Sequence, residues 1–380
     1  MMSIQFNSST KMLFASMILF MMNGAPALWA QRTVPAQETT APEPITTPAS
    51  SSGQEVAGQL QQVAVAQQGV MTNESNAFRL DHLKTVKAGL LYVGYAEVGP
   101  RSGKPVILLH GWPYDIHSFE RSSALLAAHG YRVLVPYLRG YGTTTFISPA
   151  TMRNAQQSAV ALDIVQFMDA LHIDKAIIGG FDWGARTADI IAALWPERCT
   201  ALVAVSGYLI GSPKANENPL APNAEFLWWY QYYFATERGY KGYQANTAAF
   251  NKLIWKTASP KWNFDDSTYS RSAQAFNNPD HVAITIHNYR WRLGLAKGEK
   301  QYDALEAKLA KSPTISVPTV TLEGDANGAA FPPPSSYASK YTGQYNHHTL
   351  TGGIGHNLPQ EAPQAFADAI MEADALSLVR

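Results

Sequence analysis

The sequence predicts an α/β fold: a mostly parallel, twisted sheet flanked by helices, with a helical lid inserted into it. Three observations lead there. From residue 83 to residue 206 apolar runs of strand length alternate with helical stretches, the rhythm of a parallel sheet covered on both faces. That rhythm breaks at Gly211, and residues 212–300 are crowded with aromatics and carry no clear strand. It resumes at Thr319 and runs to a closing helix.

The elements follow in order. Residues 83–98 alternate as an antiparallel strand pair would, broken near Lys87-Ala88-Gly89. Residues 105–109 form an apolar strand ending at His110-Gly111-Trp112-Pro113, and 118–129 are helical. A strand over 132–136 runs into Arg139-Gly140-Tyr141-Gly142, and a helix over 154–171 follows. The apolar run Lys175-Ala176-Ile177-Ile178-Gly179 leads into Gly180-Phe181-Asp182-Trp183-Gly184 and a helix over 185–195. Residues 201–206 are a further strand. After the lid, 319–322 and 348–350 are strands, and 362–376 close the chain as a helix.

Composition narrows the function. Of 380 residues 46% are hydrophobic, enough for one large α/β domain with an insertion. The formal net charge of +0 gives no support for a nucleic-acid partner. The lone cysteine, Cys199, excludes an internal disulfide and a multi-cysteine metal site. Residues 1–30 read as an export signal, with Lys11 ahead of an apolar run over 12–22 that falls short of the ~20 residues a membrane span needs. An exported protein, periplasmic or secreted and without a membrane span once the signal is removed, is the expectation. Residues 31–76 are rich in Thr, Pro, Ser and Gln and read as a flexible tether. The core is then expected over 77–211 and 301–380, around the lid at 212–300.

Gly180-Phe181-Asp182-Trp183-Gly184 says most about chemistry. A nucleophile between small residues, on a sharp strand-to-helix turn, is a nucleophile elbow. Its centre is an aspartate, and a carboxylate nucleophile suits displacement at a saturated carbon, leaving an alkyl ester on the enzyme. That favours epoxide opening or halide removal over ester or peptide hydrolysis. Asp182, Asp325 and His356 follow strands in the order nucleophile, acid, histidine.

From about Phe78 onward the chain resembles the epoxide hydrolases of the α/β-hydrolase superfamily. The matching segments are His110-Gly111-Trp112-Pro113, Arg139-Gly140-Tyr141-Gly142, the elbow, and Gly355-His356. The lid segments Trp229-Tyr230-Gln231-Tyr232-Tyr233-Phe234 and His287-Asn288-Tyr289-Arg290-Trp291 look like the two tyrosine segments of soluble epoxide hydrolases. The elbow and histidine motifs are shared with haloalkane dehalogenases.

The resemblance implies Asp182 as nucleophile, His356 as the base that activates water, and Tyr230 and Tyr289 as donors to the epoxide oxygen. Tyr232 and Tyr233 compete with Tyr230 for that role. The backbone of Trp112 and Trp183 would form the oxyanion hole, while His110, Trp229 and Arg186 would line the substrate pocket. Arg186 lies four residues after the nucleophile, where fluoroacetate dehalogenases grip a carboxylate; a structural ion pair is the plainer expectation.

The acid departs from the family pattern. Its usual position holds Asn327, the loop before the lid has no acid, and Asp325 is the nearest carboxylate. An apolar epoxide substrate and no metal or organic cofactor are expected. The rival functions are a dehalogenase of the same fold and a non-catalytic secreted binding protein, the latter suggested by Asn327.

Overall fold

The computed structural model describes residues 80 and 82–378. The predicted export signal and tether lie outside the described residues.

Among the described residues, nine strands form a single sheet. They are β1 (Leu83–Ala88), β2 (Leu91–Val98), β3 (Pro105–Leu109), β4 (Arg132–Pro136), β5 (Thr145–Phe146), β6 (Ala176–Gly180), β7 (Cys199–Val205), β8 (Thr319–Gly324) and β9 (Tyr345–Leu350). The order is β1-β2-β4-β3-β6-β7-β8-β9, with the two-residue β5 paired to β2. β1, β2 and β4 pair antiparallel, and everything from β4 to β9 pairs parallel. β6 and β8 are buried at every residue, whereas the end strands β1 and β9 alternate between exposed and half-buried positions. β6, covered on both faces, reads as a continuous apolar run for this reason, whereas β8 also buries Thr319, Thr321 and Glu323.

Among the described residues three α-helices precede the lid: α1 (Glu120–Ala128), α2 (Gln157–Ala170) and α3 (Trp183–Leu194). The lid contributes α4 (Pro222–Leu227), α5 (Trp229–Ala235), α6 (Glu237–Ala258), α7 (Asp266–Ala273) and α8 (His281–Arg292). The chain ends with α9 (Asp303–Leu309), α10 (Pro334–Tyr337), α11 (Leu358–Glu361) and α12 (Pro363–Leu376). α1 packs with α12 and α2 with α3, and these pairs cover the sheet. Among the described residues no helix is long and apolar enough to cross a membrane.

Local chemistry moves several boundaries from their sequence-based positions. The helix expected from residue 154 starts at Gln157, because the Asn154 side chain accepts the Gln156 N–H at 2.8 Å and holds a turn there. α1 is preceded by a short 3-10 turn, Ile116–Phe119, whose cap Asp115 accepts the His117 N–H. The closing helix splits at Ala362 (φ −133°), and α12 begins on Pro363, a residue suited to the first helical position.

Strand order reverses around β3, which lies between β4 and β6. The crevice at the carboxyl ends of β3 and β6 is therefore where an open α/β sheet gathers its functional loops. His110-Gly111-Trp112 and Asp182 both emerge there.

Candidate active site

Asp182 joins β6 to α3 with φ 54° and ψ −121°, a conformation that a residue with a side chain rarely adopts. The neighbouring glycines make this turn possible. A Cβ on Gly184 would lie 1.8 Å from the Leu109 carbonyl oxygen, and one on Gly180 would lie 2.5 Å from the Gly184 backbone. The turn aims the carboxylate at the β3 loop. Its Oδ1 accepts the Trp112 backbone N–H at 2.7 Å, and the Trp183 backbone N–H also donates to the carboxylate. Its Oδ2 lies 3.5 Å from His356 Nε2. Burial pushes this carboxyl up, but the His356 ring and the two backbone donors outweigh burial, so its pKa stands below the ordinary aspartate value. The group is thus an ionised, oriented nucleophile already held by two backbone donors.

His356 follows the glycine-rich loop after β9. Its Nδ1 meets Asn327 Oδ1 at 3.1 Å. Asn327 Oδ1 also accepts the Ala329 N–H at 2.9 Å, and Asn327 Nδ2 donates to Glu323 Oε1 at 2.9 Å. These partners fix which end of the amide is oxygen. They require His356 Nδ1 to carry the proton, leaving the Nε2 lone pair facing Asp182.

The expected acid, Asp325, is a correction. Its carboxylate turns outward and accepts the N–H groups of Gly352, Gly353 and Ile354 at 3.1, 2.8 and 3.0 Å. It braces the loop that carries His356 and does not touch the ring. The amide of Asn327 holds the acid's place.

The lid supplies the opposite wall. Tyr230 on α5 and Tyr289 on α8 have ring centroids 5.3 Å apart, nearly perpendicular, and their hydroxyls are within hydrogen-bonding reach of each other. Burial, with the Asp182 charge adding to it, pushes both phenols above their ordinary pKa, so both are protonated at neutral pH. Tyr232 points outward and donates to Glu225, and Tyr233 stacks on Phe250 at 6.0 Å. Tyr230 is therefore the tyrosine of this segment that faces the nucleophile.

Trp112, Trp183, Trp229, Tyr230, Tyr289, Asp182 and His356 line one cavity of about 690 Å³. The stretch Gly328–Pro333, unflagged in the sequence, lines it too. Trp112 and Trp183 present backbone N–H groups as expected, but the Trp112 indole is committed elsewhere and donates to the Tyr243 hydroxyl at 3.0 Å.

His110 is a second correction. It is fully buried behind the β3 loop, with Nδ1 on the Gly111 carbonyl and Nε2 accepting the Leu138 N–H. Burial lowers its pKa to about 4, so it is a neutral brace and not a pocket residue. Arg139 is also structural: buried, it pairs with Asp163 at 2.6 Å and ties down the carbonyls of Asn154 and Ala159.

Arg186 does line the cavity, and the expected ion pair is missing. Its Nη2 donates to Asn288 Oδ1 at 2.8 Å, and its guanidinium lies 5.8 Å from the Trp183 ring. Among the described residues no carboxylate pairs with it. Burial and the nearby Arg292 lower its pKa to about 10, which still leaves it charged at neutral pH.

The chain is similar in sequence and fold to several known proteins. A family model of the alpha/beta hydrolase fold matches residues 104–246. Epoxide hydrolase 3 of Siraitia grosvenorii is 35% identical over 147 residues, covering 39% of this chain and 43% of that protein. Epoxide hydrolase B of Mycobacterium tuberculosis is 34% identical over 152 residues, covering 37% and 42%. The chain thus matches less than half the length of these curated relatives. A crystal structure of a candidate epoxide hydrolase from Klebsiella pneumoniae is 58% identical, covers 80% of this chain and 100% of that one, and superposes with a TM-score of 0.78.

Proposed function

Because the chain belongs to the α/β-hydrolase family and is epoxide hydrolase-like, we propose that it opens small-molecule epoxides to vicinal diols through a covalent ester on Asp182. One observation carries this reading. The Asp182 carboxylate accepts two backbone donors, has its Oδ2 facing His356, and lies in the same cavity as two protonated phenols.

In the first step Asp182 Oδ2 attacks a ring carbon, and the carbon–oxygen bond of the epoxide breaks. The electron pair goes to the departing oxygen, which takes a proton from Tyr230 or Tyr289. In the second step His356 Nε2 takes a proton from water, and that water attacks Asp182 Cγ. The resulting negative charge falls on Oδ1, already bonded to the backbone N–H of Trp112, with the Trp183 N–H donating to the same carboxyl group. The Cγ–Oδ2 bond then breaks, the departing alkoxide takes the hydroxyl proton of the newly formed carboxyl, and the diol leaves with the former Oδ2 while Asp182 returns to a carboxylate. The new water oxygen stays on Asp182, and the proton on His356 returns to the phenol.

Export belongs to the same proposal and rests on Lys11 and the apolar run over residues 12–22.

A single turnover in heavy-oxygen water with excess enzyme tests the reaction. Label in the Asp182 peptide and none in the first diol is the expected result. Label in the first diol would replace the ester with direct attack by water. Halide release that survives Tyr289→Phe, with no epoxide turnover in the parent chain, would replace epoxide opening with dehalogenation through the same ester.

A further inference from the structure

The hydrolytic histidine has no acid beside it. Its ring Nδ1 meets the neutral amide of Asn327, and the next side chain reached through that amide is Glu323, the penultimate residue of β8. Glu323 is buried, 5% exposed, with Oε1 accepting both the Asn327 Nδ2–H at 2.9 Å and the Gly324 N–H at 3.0 Å. Ser206, at the end of β7, approaches the same group: its Oγ lies 3.3 Å from Asn327 Nδ2, and its side chain also bonds Glu323. No cation pairs with Glu323 among the described residues. Burial raises the Glu323 pKa, and the hydrogen bonds from Asn327, Gly324 and Ser206, with the His356 charge, oppose that rise and favour the carboxylate.

We propose that Glu323 is the acid of this site, supplying negative charge to His356 through the Asn327 amide. This rests on the reading above, in which His356 directs water onto the Asp182 ester. Glu323 is a positioning residue: it touches Asn327, not the reacting atoms. Its charge polarises the amide so that Asn327 Oδ1 holds the Nδ1 proton more strongly. That fixes the tautomer and stabilises the imidazolium formed as water attacks.

Other groups also face His356. Asp182 lies at 3.5 Å, and the Tyr114 ring lies 5.9 Å away. Glu361 on α11 accepts the N–H groups of Gly355 and Asn357 and the Ser259 hydroxyl. Glu361 therefore holds the backbone on either side of the ring, while Glu323 alone has a bonded path to Nδ1. The phenol facing Glu323 is Tyr337, which feels its charge.

The test uses Glu323→Gln in the full chain. Glutamine keeps an acceptor for Asn327 and Gly324 but removes the charge. Hydrolysis of the Asp182 ester should slow roughly ten- to a hundredfold, less than the ~10⁴ lost when a directly bonded triad acid is changed. Ester should accumulate on the Asp182 peptide. The acid limb of the hydrolysis rate should also move to lower pH, because a nearby negative charge favours the imidazolium and its removal favours the free base. A purely structural role would not move that limb. Adding Asn327→Asp to Glu323→Gln puts a carboxylate directly on Nδ1 and should restore both rate and limb.

If Glu323→Gln does not fold, Asn327→Ala cuts the same path and is read in the same way. Normal hydrolysis with an unmoved limb, or no recovery in the double variant, overturns the Glu323 assignment while leaving the ester reading intact. Absence of ester in the parent chain overturns both.

Discussion

The two walls of the cavity are built on different principles. On the sheet side, each reacting atom is held by hydrogen bonds whose donors or acceptors are set by strand ends: Asp182 by backbone N–H groups, and His356 by the ordered amide of Asn327. On the lid side, Tyr230 and Tyr289 are held by rings, with Trp112 at 5.1 and 5.2 Å and Phe234 at 6.2 and 5.5 Å. One polar tie between the walls runs from the Trp112 indole through Tyr243 and His281 to the Gly140 carbonyl, and another joins Arg186 to Asn288. A covalent step needs atoms fixed to a fraction of an ångström, which directed hydrogen bonds provide. Ring packing is less directional, so it can hold a donor while letting the pocket's shape vary.

If that division holds, changes on the sheet side should be the most severe and the most specific to one step. Asp182→Asn should abolish ester formation, with a rate loss of about 10⁴-fold or more. His356→Gln should leave ester formation intact and stop its hydrolysis. The variant then consumes one equivalent of epoxide and keeps the added mass on the Asp182 peptide, which mass spectrometry reads directly. Continued turnover by His356→Gln would show that the base lies elsewhere and would dissolve the contrast between the walls.

The same division explains what could be read from sequence. The elbow and His356 are written in local chemistry: an aspartate between glycines on a strained turn, and a histidine after Gly352-Gly353-Ile354-Gly355. The core strands were visible because β6 and β8 are buried on both faces. The acid was not legible, because Asp325 and Glu323 lie two residues apart and chain position does not say which one turns inward. Asp325 is captured by three backbone N–H groups of the β9 loop, a partner set visible only after folding. His110 misled for a similar reason: its motif marks the site, but both ring nitrogens serve the backbone behind it. The part of the wall supplied by Gly328–Pro333 depends on where a loop lands, which no periodicity reports.

Lid changes should be milder and confined to ring opening. Tyr289→Phe or Tyr230→Phe should slow ester formation on an epoxide roughly ten- to a thousandfold, as loss of one donor to a developing oxyanion does, with ester hydrolysis little changed. Pre-steady-state measurement of the two phases separates these. The pH dependence has a defined sign. A phenol donates only while protonated, and burial together with the Asp182 charge raises both phenols above the ordinary value. Ester formation should therefore hold its rate past pH ~10, where an unperturbed tyrosine would already be half ionised, and fall only at higher pH. A decline beginning well below that pH would mean that the phenols are not the proton donors.

The smallest effect should fall where sheet and lid meet around the substrate. Arg186, on the helix behind the nucleophile, and Arg292, at the end of α8, both line a cavity whose other walls are largely apolar. Arg292 lies over the Trp228 and Tyr289 rings at 5.3 and 5.9 Å, and like Arg186 it has no carboxylate partner among the described residues. A buried guanidinium with an amide for a partner keeps donors to spare. An epoxide with an apolar body and one anionic end would satisfy them. Arg186→Met should then lower kcat/KM for a carboxylate-bearing epoxide about tenfold more than for its neutral ester, mostly through KM, since a hydrogen bond to a charged group is worth about 1.5–3 kcal/mol. Equal losses on the two substrates would assign Arg186 to holding α3 and α8 together through Asn288, and would return the whole pocket to apolar recognition.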